Sequence, residues 1–398
     1  MNPKVNIIAD DLTGALDAAG PFASRGHPTW VVVEEARCEP SAFRGAEVVS
    51  INSASRHLSQ AVAADSVRRI ARHLCVPEAE ILIKKIDSTL RGNVAAETLA
   101  LMDATGRRNA IVAPAFPAQG RTFEDGVVYV NGVALTRTDF ARDALSPPPL
   151  QPLDAVFRAA APDARVVKVP PAGPFDLAAR DQNRCIFVVD SHRDDDLHST
   201  VRALATRLAE CVLVGSAGIA AAVAQVCMPS GPARNQPQAA GQLLVVVGSR
   251  AEQSALQVAT LSREKGVEVY DAPNGRLDEF AAPSSAAPTV VLRAISGAGG
   301  KEGDAEQVAG LLARHAARFL RSHMVGALVA TGGDTAIAIL HELAQPALEV
   351  MGDLLPGIPY CRLEVEGRSL WLVTKAGGFG TRDALIEIAR LLHRPSRG

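Results

Sequence analysis

The sequence is poor in aromatic residues and has almost no net charge. Aromatics make up 4% of its 398 residues and hydrophobic residues 47%, so alanine, valine, leucine and glycine must supply most of the core. This composition is typical of helix-rich α/β proteins. The formal net charge is −2, so the chain has no broad field that would attract nucleic acid or a membrane surface. Any anion-binding site must therefore be local.

Several motifs of common enzyme and metal sites are also absent. The six cysteines form no C-x-x-C pair, and we expect reduced, mostly buried thiols. The nine histidines form no H-E-x-x-H pattern and no serine lies in a G-x-S-x-G elbow, which argues against zinc hydrolysis and a catalytic triad. Neither G-x-x-x-x-G-K-[ST] nor G-x-G-x-x-G fits any segment, so a nucleotide site would be of an uncommon kind.

The chain also lacks the features of membrane and secreted proteins. No apolar run reaches the roughly 18 residues of a membrane-spanning helix. The N-terminal sequence MNPKVNIIADD has neither the basic nor the apolar region of a signal peptide. We therefore expect a soluble, cytoplasmic protein that binds neither membrane nor nucleic acid.

The order of the apolar runs predicts an α/β fold of two α/β domains with mostly parallel sheets. A single core rarely exceeds about 250–300 residues, so this chain is expected to divide. Many runs are continuous and β-branched, as in strands covered on both faces, and helix-like segments separate them. In the first half we predict strands at 5–9, 29–33, 46–51, 80–86, 109–114, 165–169, 185–190 and 211–216. We predict helices at 13–24, 58–73, 94–103 and 194–209.

A stretch rich in proline, glycine, asparagine and glutamine marks the domain boundary. Residues 227–242 have no hydrophobic period and are typical of an exposed linker. They separate an N-terminal domain, residues 1–226, from a C-terminal domain, residues 243–398. After the linker a new strand, turn and helix begin, and further apolar runs follow at 289–295, 327–340, 360–367 and 370–380.

Two adjacent carboxylates follow the first predicted strand. Asp10 and Asp11 end the run VNIIA, and Thr13 and Gly14 open the next helix. Ligands of open α/β sheets bind beyond the carboxyl ends of the strands. One carboxylate or Thr13 would suffice to cap the helix, so the pair suggests a base, a metal site or a clamp for sugar hydroxyls.

A second polar cluster, KKIDSTLRGN, follows the apolar run EILI. Strand alternation places Lys84 and Lys85 on opposite faces, so at most one is expected to share a pocket with Asp87. Arg91 opposes the dipole in the first turn of the next helix, a placement that favours an anionic ligand. An arginine grips a carboxylate with two N–H groups. A capped helix with solvated charges is the alternative.

Further polar turns follow other strands. Gln119 and Arg121 lie in a loop before the hairpin-like turn YVNG, where they either contact a substrate or form an ordinary extended loop. In the second half, three glycine-rich turns follow strands: VVVGSRAEQS, VATGGDTAIAIL and VTKAGGFGTRD. Each offers backbone N–H groups, and the first two also offer a helix N-terminus, as a phosphate cradle requires. One glycine turn indicates little, but three in one domain favour an anion site.

At these motifs the sequence resembles the four-carbon acid sugar kinase family, over nearly the whole chain. The matching blocks are ADDLTGALD, KKIDSTLRGN, APAFPAQGRT, GSRA, TGGDTA and KAGGFG. The resemblance implies ATP-dependent phosphorylation of the terminal hydroxyl of a C4 sugar acid, such as D-threonate, D-erythronate, L-threonate or a 3-oxo-tetronate. It implies that the N-terminal domain holds the acid, that the C-terminal domain holds ATP with Mg²⁺, and that the active site lies in the interdomain cleft.

The resemblance also suggests roles for individual residues. The residues expected to bind the acid are Asp10, Asp11, Ser88, Arg91, Gln119 and Arg121. Asp11 or Asp87 is expected to accept the hydroxyl proton, and Lys84 or Lys85 to neutralise the transferring phosphoryl group. The residues expected to hold ATP are Ser249, Gly332, Gly333, Asp334, Thr335, Lys375, Gly377, Gly378, Phe379 and Gly380. Asp334 is also the candidate to lie near Mg²⁺, whose ligands the sequence leaves unknown.

Two rival functions stay open. A sugar-acid dehydrogenase or isomerase could use the same anion grip, but the nicotinamide fingerprint is missing. A non-catalytic sensor could bind a sugar acid or nucleotide and signal by domain closure, although it would gain nothing from paired carboxylates facing an anion. D-threonate is the substrate we expect. The sequence does not determine the stereoisomer or the oligomeric state, for which a homodimer is one alternative.

Overall fold

The computed structural model describes residues 4–73, 80–143, 146–178, 183–232, 236–277, 286–297 and 303–393. The chain forms two compact units, Met1–Ala233 and Arg234–Gly398, which are described separately below. Their boundary falls within the predicted linker 227–242. That linker is described apart from residues 233–235, and among the predicted buried thiols Cys75 also lies outside the described residues.

The first unit alternates strands and helices along the chain. Its strands are β1 (Val5–Ala9), β2 (Thr29–Val32), β3 (Val48–Asn52), β4 (Ile81–Lys85), β5 (Asn109–Ala113), β6 (Arg121–Glu124), β7 (Val127–Val130), β8 (Val133–Ala134), β9 (Arg165–Val169), β10 (Cys185–Val189) and β11 (Cys211–Gly215). Its helices are α1 (Leu12–Ser24), α2 (Gln60–His73), α3 (Val94–Thr105), α4 (Leu153–Ala160), α5 (Asp194–Leu204) and α6 (Ala217–Cys227).

In this unit, parallel pairing brings together the carboxyl ends of three strands that polar residues follow. The strand order is β2-β3-β1-β4-β11-β5-β10-β9, with every pair parallel. β1, β3 and β4 are buried along their whole lengths, in agreement with their largely apolar sequences. Since β1 pairs with β3 on one side and β4 on the other, the carboxyl ends of all three lie at the same edge of the sheet. The strands β6, β7 and β8 form a separate antiparallel sheet, in agreement with the predicted hairpin turn.

The second unit contains a mixed sheet. Its strands are β12 (Gln242–Val247), β13 (Val267–Pro273), β14 (Thr289–Ile295), β15 (Val325–Thr331), β16 (Ala347–Leu355), β17 (Ile358–Val365) and β18 (Arg368–Lys375). Its helices are α7 (Glu252–Leu261), α8 (Ala305–Ser322), α9 (Gly333–Glu342) and α10 (Ala384–Leu392). The order β13-β14-β12-β15-β18 is parallel, and β17 and β16 continue it with antiparallel pairing.

Both units therefore confirm the predicted α/β class and mostly parallel pairing. In the second unit, β12, β15 and β18 are neighbours, so the three glycine-rich turns that follow them lie at one edge of the sheet. Within the described ranges, no helix is both long and apolar enough to cross a membrane.

Candidate functional site

The first cluster of functional side chains is built on the ends of β1 and β3. Arg56 follows β3, and its guanidinium grips Asp10 with two N–H groups, Nε at 2.8 Å from Oδ2 and Nη2 at 3.0 Å from Oδ1. Its third nitrogen, Nη1, donates to Asp11 Oδ2 at 2.7 Å. The side chains of Arg56 and Asp10 are only 11% and 2% exposed. Bidentate, charge-assisted bonds of this kind fix orientation as well as charge.

Asp11 also caps helix α1, as the sequence allowed. Its Oδ1 accepts from the N–H of Gly14 at 2.8 Å, and its Oδ2 accepts from the hydroxyl of Thr13 at 2.6 Å. Burial tends to raise the pKa of Asp11, but Arg56 and Lys85 outweigh burial and lower it. Asp11 is therefore an ionised cap that also takes part in the charged cluster.

Asp87 occupies the same edge, two residues beyond β4. It accepts from the backbone N–H of Thr89 at 3.1 Å and from the Thr89 hydroxyl, and Arg91 grips it with Nε at 2.9 Å and Nη2 at 3.0 Å. Arg56 Nη2 lies 3.8 Å from Asp87 Oδ1, so this carboxylate joins the cluster of the other two. Although burial tends to raise the pKa of Asp87, Arg91 and Arg56 hold it well below its usual range.

Arg91 was predicted in the first turn of a helix, but it lies in the turn before Asn93, the N-cap of α3, so the helix-dipole argument for an anionic ligand does not hold. Its guanidinium already has carboxylate partners. Besides Asp87, its Nη1 contacts Asp143 Oδ2 at 3.2 Å. Asp87 raises the pKa of Arg91 far above its ordinary value. A substrate carboxylate would therefore share this guanidinium with protein carboxylates.

Glycine is needed in the turn at residues 91–93 (RGN), which passes close to the carboxylate of Asp10. Gly92 has φ +86°, a left-handed conformation that favours glycine, and a Cβ there would lie 3.2 Å from Asp10 Oδ2. Leu90 also has a positive φ, +60°, which a leucine adopts only under constraint. This turn brings the backbone directly over the charged cluster.

The two lysines at the end of β4 have different environments. Lys84 is fully buried, pairs with Glu97 Oε2 at 2.7 Å, and donates to the carbonyls of Lys85 at 2.8 Å and Ile8 at 3.2 Å. Glu97 also accepts from the Ser55 hydroxyl at 2.8 Å. Lys84 thus ties the ends of β1, β4 and α3 together.

Lys85 lies on the opposite side of the strand, as alternation predicted, beside helix α1. Its Nζ is 3.4 Å from Asp17 Oδ1 and donates to the carbonyl of Ile86 at 3.1 Å. Burial tends to lower the pKa of Lys85, but Asp17, Asp10 and Asp11 together raise it. Its side chain is 4% exposed, so its ammonium is a charge held against the carboxylates of the cluster.

Three further residues were predicted to bind the acid: Ser88, Gln119 and Arg121. Ser88 is buried next to Asp87. Arg121, at the start of β6, is buried, donates to the carbonyl of Gln119 and places its guanidinium 5.8 Å from the Phe140 ring centroid. Burial lowers the pKa of Arg121, while the carboxylate of Asp87 acts to raise it, which indicates that the two charges are near each other.

The predictions missed four charged members of the network, one of which is Asp143, a partner of Arg91. Arg56, Asp17 and Glu97 were not singled out, although together they neutralise or hold every predicted charged residue from β1 and β4. A signal for Arg56 existed, because the polar segment NSASR follows the buried strand β3 just as the two aspartates follow β1. Asp17 and Glu97 lie inside helices, where a lone acid gives no such signal.

In the second unit, the three glycine turns converge at the ends of β12, β15 and β18. The N–H of Gly332 donates to the carbonyl of Lys375 at 2.9 Å, which joins the second turn to the third. A Cβ at Gly377 would overlap Ser249 Oγ, and one at Gly332 would lie 3.4 Å from Ser249 Cβ. Gly332 has φ +102°, so glycine is needed there for its backbone conformation.

The second turn opens helix α9 directly. Gly332 is its N-cap, and Gly333, Asp334 and Thr335 form its first turn. Thr335 is buried, with its hydroxyl where a Cβ at Gly248 would stand, while Asp334 is exposed. The N-terminus of α9 thus presents backbone N–H groups beside small, closely spaced turns, the arrangement that binds phosphate groups.

The third turn is held by Lys375 and by helix α7. Lys375 Nζ donates to the carbonyls of Ala376 at 3.0 Å, Gly377 at 3.2 Å and Phe379 at 3.2 Å. Burial lowers the pKa of Lys375 to about 7. Side chains of α7 bind the same turn through Ser254 to Gly377, Gln257 to Phe379 and Gln253 to Gly380, at 2.9 to 3.0 Å. Gly378 lies exposed within this turn.

The glycine cradle has the features that suit a phosphate group, and the described residues contain no preformed metal site. A Cβ at Gly377 would overlap the Ser249 hydroxyl, and one at Gly248 would overlap the Thr335 hydroxyl. Among the described residues, the buried hydroxyls of Thr331 and Thr374, at the ends of β15 and β18, have no hydrogen-bond partner. Within the described part of the chain, no group of three or more histidine, cysteine, aspartate or glutamate side chains is arranged to hold a metal ion.

Comparison with known protein families matches the two units separately. A sugar-binding N-terminal domain family matches residues 5–223, and a nucleotide-binding C-terminal domain family matches residues 244–385. The first match contains the charged cluster and the second contains the glycine cradle.

Curated relatives align with nearly the whole chain. A D-threonate kinase from Bordetella bronchiseptica is 34% identical over 98% of this chain and 98% of its own. A D-erythronate kinase from Heliobacterium modesticaldum is 28% identical over 96% of this chain and 95% of its own. A 3-oxo-tetronate kinase from Brucella melitensis is 24% identical over 98% and 96%, respectively.

Solved structures show the same fold. A Salmonella typhimurium LT2 protein, described as a candidate tRNA synthase, superposes with a TM-score of 0.77 at 20% identity, over 98% of this chain and 99% of its own. At that identity the likeness concerns the fold alone. A Bordetella bronchiseptica protein with bound citrate, described as a domain-swapped dimer of unknown function, is 32% identical over the full length of both chains, with a TM-score of 0.50.

Proposed function

The chain belongs to the four-carbon acid sugar kinase family, and on that premise we propose that it transfers the γ-phosphoryl group of ATP to the 4-hydroxyl of a four-carbon sugar acid. The products are the 4-phosphate of the acid and ADP. The observation that carries the proposal is the cluster of Asp10, Asp11 and Asp87 with Arg56 and Arg91 in the sugar-binding unit. It offers carboxylates to hydroxyl groups and guanidinium groups to a carboxylate.

D-threonate is the substrate we favour among the C4 acids. The relative with 34% identity carries that name, whereas the D-erythronate and 3-oxo-tetronate kinases reported above are 28% and 24% identical. The guanidinium groups of Arg91 and Arg121 are the proposed grip for the carboxylate of the acid. Ser88, Gln119 and Asp10 would bind its hydroxyl groups.

Asp11 is the carboxylate we propose as acceptor of the hydroxyl proton. Its side chain is 19% exposed, against 2% for Asp10 and 12% for Asp87, so it is the most accessible of the three. Asp87 already accepts from Thr89, and both of its carboxylate oxygens accept from Arg91, through Nε and Nη2. A lowered pKa makes Asp11 a weak base, but phosphoryl transfer depends more on positioning and charge neutralisation than on base strength.

Lys85, rather than Lys84, is the lysine we propose to neutralise the transferring group. Lys84 is fully buried and held by Glu97 and two backbone carbonyls, which leaves it a structural role. Lys85 stands against Asp10 and Asp11, where the reacting hydroxyl would bind. Its charge would stabilise the phosphoryl oxygens as they approach that hydroxyl.

ATP is assigned to the glycine cradle of the second unit. The N-terminus of α9 and the turns at Ser249 and Gly377 would hold its phosphates, while Lys375 keeps the third turn in shape. Asp334, exposed in the first turn of α9, is the proposed neighbour of Mg²⁺. A kinase that draws on ATP for sugar-acid catabolism would act in the cytoplasm.

The test is product analysis with a panel of acids. The protein is incubated with Mg-ATP and, separately, D-threonate, L-threonate, D-erythronate, L-erythronate and a 3-oxo-tetronate, while ADP is measured. We expect ADP with D-threonate, and a ³¹P signal split by the two protons of a terminal methylene group. Parallel incubations with NAD⁺ for the hydroxy acids and NADH for the 3-oxo-tetronate test the rival enzyme. Oxidation, reduction or isomerisation of an acid without ADP would favour the dehydrogenase or isomerase, and binding without any turnover would favour the sensor.

A homodimer is the oligomeric state that we propose to test first. The Bordetella bronchiseptica protein with bound citrate is described as a domain-swapped dimer. Light scattering after size-exclusion chromatography would distinguish a dimer from a 41.7-kDa monomer.

A further inference from the structure

A buried carboxylate with no assigned role lies directly behind the proposed phosphoryl-binding lysine. Asp17, in helix α1, has a side chain only 10% exposed, and its Oδ1 lies 3.4 Å from Lys85 Nζ. Within the described residues, that oxygen accepts no hydrogen bond of acceptable geometry. An under-satisfied buried carboxylate is destabilising, so its presence calls for an explanation.

The charged groups with the largest influence on Asp17 belong to the proposed acid site. Lys85 faces it from β4, Asp11 from the start of α1, and Arg56 from the segment after β3. Helix α1 also packs against β1, β2, β3 and α6, whose sequences contain no aspartate, glutamate, lysine, arginine or histidine. Burial is the largest influence on Asp17 and raises its pKa from 3.8 to about 7.

A glycine in the same helix places Lys85 within reach of Asp11. A Cβ at Gly14 would lie 2.6 Å from Asp11 Oδ1 and 3.0 Å from Lys85 Nζ. The two charged groups therefore face the same small space beside Gly14. Lys85 stands between two carboxylates, Asp11 at the proposed site of the reacting hydroxyl and Asp17 behind it.

We infer that Asp17 is a positioning residue whose ionised carboxylate holds the Lys85 ammonium in its place at the acid site. The inference rests on the proposed kinase activity, in which Lys85 neutralises the transferring phosphoryl group. When Asp17 is protonated, Lys85 loses one of its countercharges and is drawn further toward Asp10 and Asp11. Turnover should then be lower, so activity should rise as pH increases through neutrality.

The first test compares pH profiles of the wild type and Asp17→Asn, using ADP release with Mg-ATP and the accepted acid. Asparagine mimics the protonated carboxylate. We expect the kcat of Asp17→Asn to be about 10- to 100-fold lower than that of the wild type at pH 8, as for a displaced catalytic group. The increase in kcat near pH 7 that we expect for the wild type should be absent from the variant. The KM for ATP should not change, because the cradle assigned to ATP is in the other unit.

Glu97→Gln is the matched control. It also removes the carboxylate of a buried lysine pair, that of Lys84, and should destabilise the protein, yet it should retain the rise near pH 7. If Asp17→Asn kept that rise, or if Glu97→Gln lost it equally, Asp17 would have no specific positioning role and the inference would be wrong.

A second readout does not depend on kinase activity. Because the pKa of Asp17 is raised in the folded state, its contribution to stability is present at low pH and lost as pH rises through about 7. The melting temperature of Asp17→Asn relative to the wild type should therefore increase by several degrees between pH 5 and pH 8.

The two readouts separate the failure of each proposal. An inactive wild type that still shows the pH-dependent melting difference would refute the proposed function while supporting a titrating Asp17 beside Lys85. A melting difference that is independent of pH would overturn the inference, whatever the activity of the protein.

Discussion

At the scale of single residues, the proposed acid site is a balance of charges removed from water. Arg56 satisfies Asp10 and Asp11 and lies near Asp87, while Lys85 faces the same carboxylates. Buried ion pairs gain little over apolar packing, but removal of one partner leaves an uncompensated charge. Such a cluster is therefore better explained by recognition of a charged, hydroxylated ligand than by stability.

Arg56→Gln should reveal this dependence. We expect the free energy of unfolding at pH 7 to fall by about 3–5 kcal/mol, because the buried carboxylate of Asp10 would lose both of its bonds to the Arg56 guanidinium. Urea denaturation measures this change. Arg68→Gln, which breaks an exposed pair with Asp65, is the control and should show no measurable loss. Equal effects of both variants would mean that the cluster is not buried as described.

The sequence identified the charged residues at strand ends but not their partners. Asp10, Asp11 and Asp87 could be predicted because ligands of α/β sheets bind beyond the carboxyl ends of strands. Alternation correctly placed Lys84 and Lys85 on opposite faces. It could not say which lysine faces the aspartates, because the answer depends on Glu97 and Asp17, which approach from different helices.

At the scale of elements, the first turn of α1 combines a helix cap with a proposed catalytic group. Gly14→Ala should favour the helix through its intrinsic propensity, by up to about 1 kcal/mol. Its Cβ would, however, force Asp11 and Lys85 apart. We expect a melting temperature close to that of the wild type and a loss of kcat of about 10- to 100-fold. Unchanged kcat in a well-folded variant would argue against Asp11 and Lys85 acting together.

The glycine cradle allows a similar comparison in the second unit. Gly377→Ala places a methyl group against Ser249 Oγ and should weaken ATP binding by at least about tenfold, which corresponds to about 1.4 kcal/mol. Gly310→Ala, in α8, meets no atom within 4 Å and should leave ATP affinity unchanged. Calorimetric titration with the non-hydrolysed analogue AMP-PNP would compare the two. Equal AMP-PNP affinities of the two variants would contradict nucleotide binding at this turn.

Continuous apolar runs predicted their strands well, and alternating ones were missed. Neither β13 nor β16 was predicted, because charges such as Glu268 and Asp353 interrupt their apolar residues. In β16, buried and partly exposed positions alternate along the whole strand, as in a strand with one wetter face. Both strands depend on neighbours that only the fold supplies.

For the whole molecule, we propose that each unit binds one ligand, the acid in the first unit and ATP in the second. The two matched families, the charged cluster and the glycine cradle all follow this division. A ligand at about 100 times its Kd stabilises a protein by about 2.7 kcal/mol, so each ligand should raise the melting temperature on its own.

Arg91→Gln should therefore lose the thermal shift caused by the acid and keep that caused by Mg-ATP. Arg91 binds Asp87 and Asp143 in the first unit, so its replacement should leave the cradle intact. Gly377→Ala should show the reverse pattern. Loss of both shifts in either variant, with the protein still folded, would contradict independent sites.

The most direct test of the central claim is acid-dependent ADP release by the wild type and Asp11→Asn, measured side by side. We expect turnover of one C4 acid by the wild type, a loss of at least about 100-fold in the variant, and equal ATP affinity in both. No turnover with any C4 acid, despite ATP binding, would contradict the kinase assignment. Undiminished turnover by Asp11→Asn would leave the activity standing but remove Asp11 from the proposed mechanism.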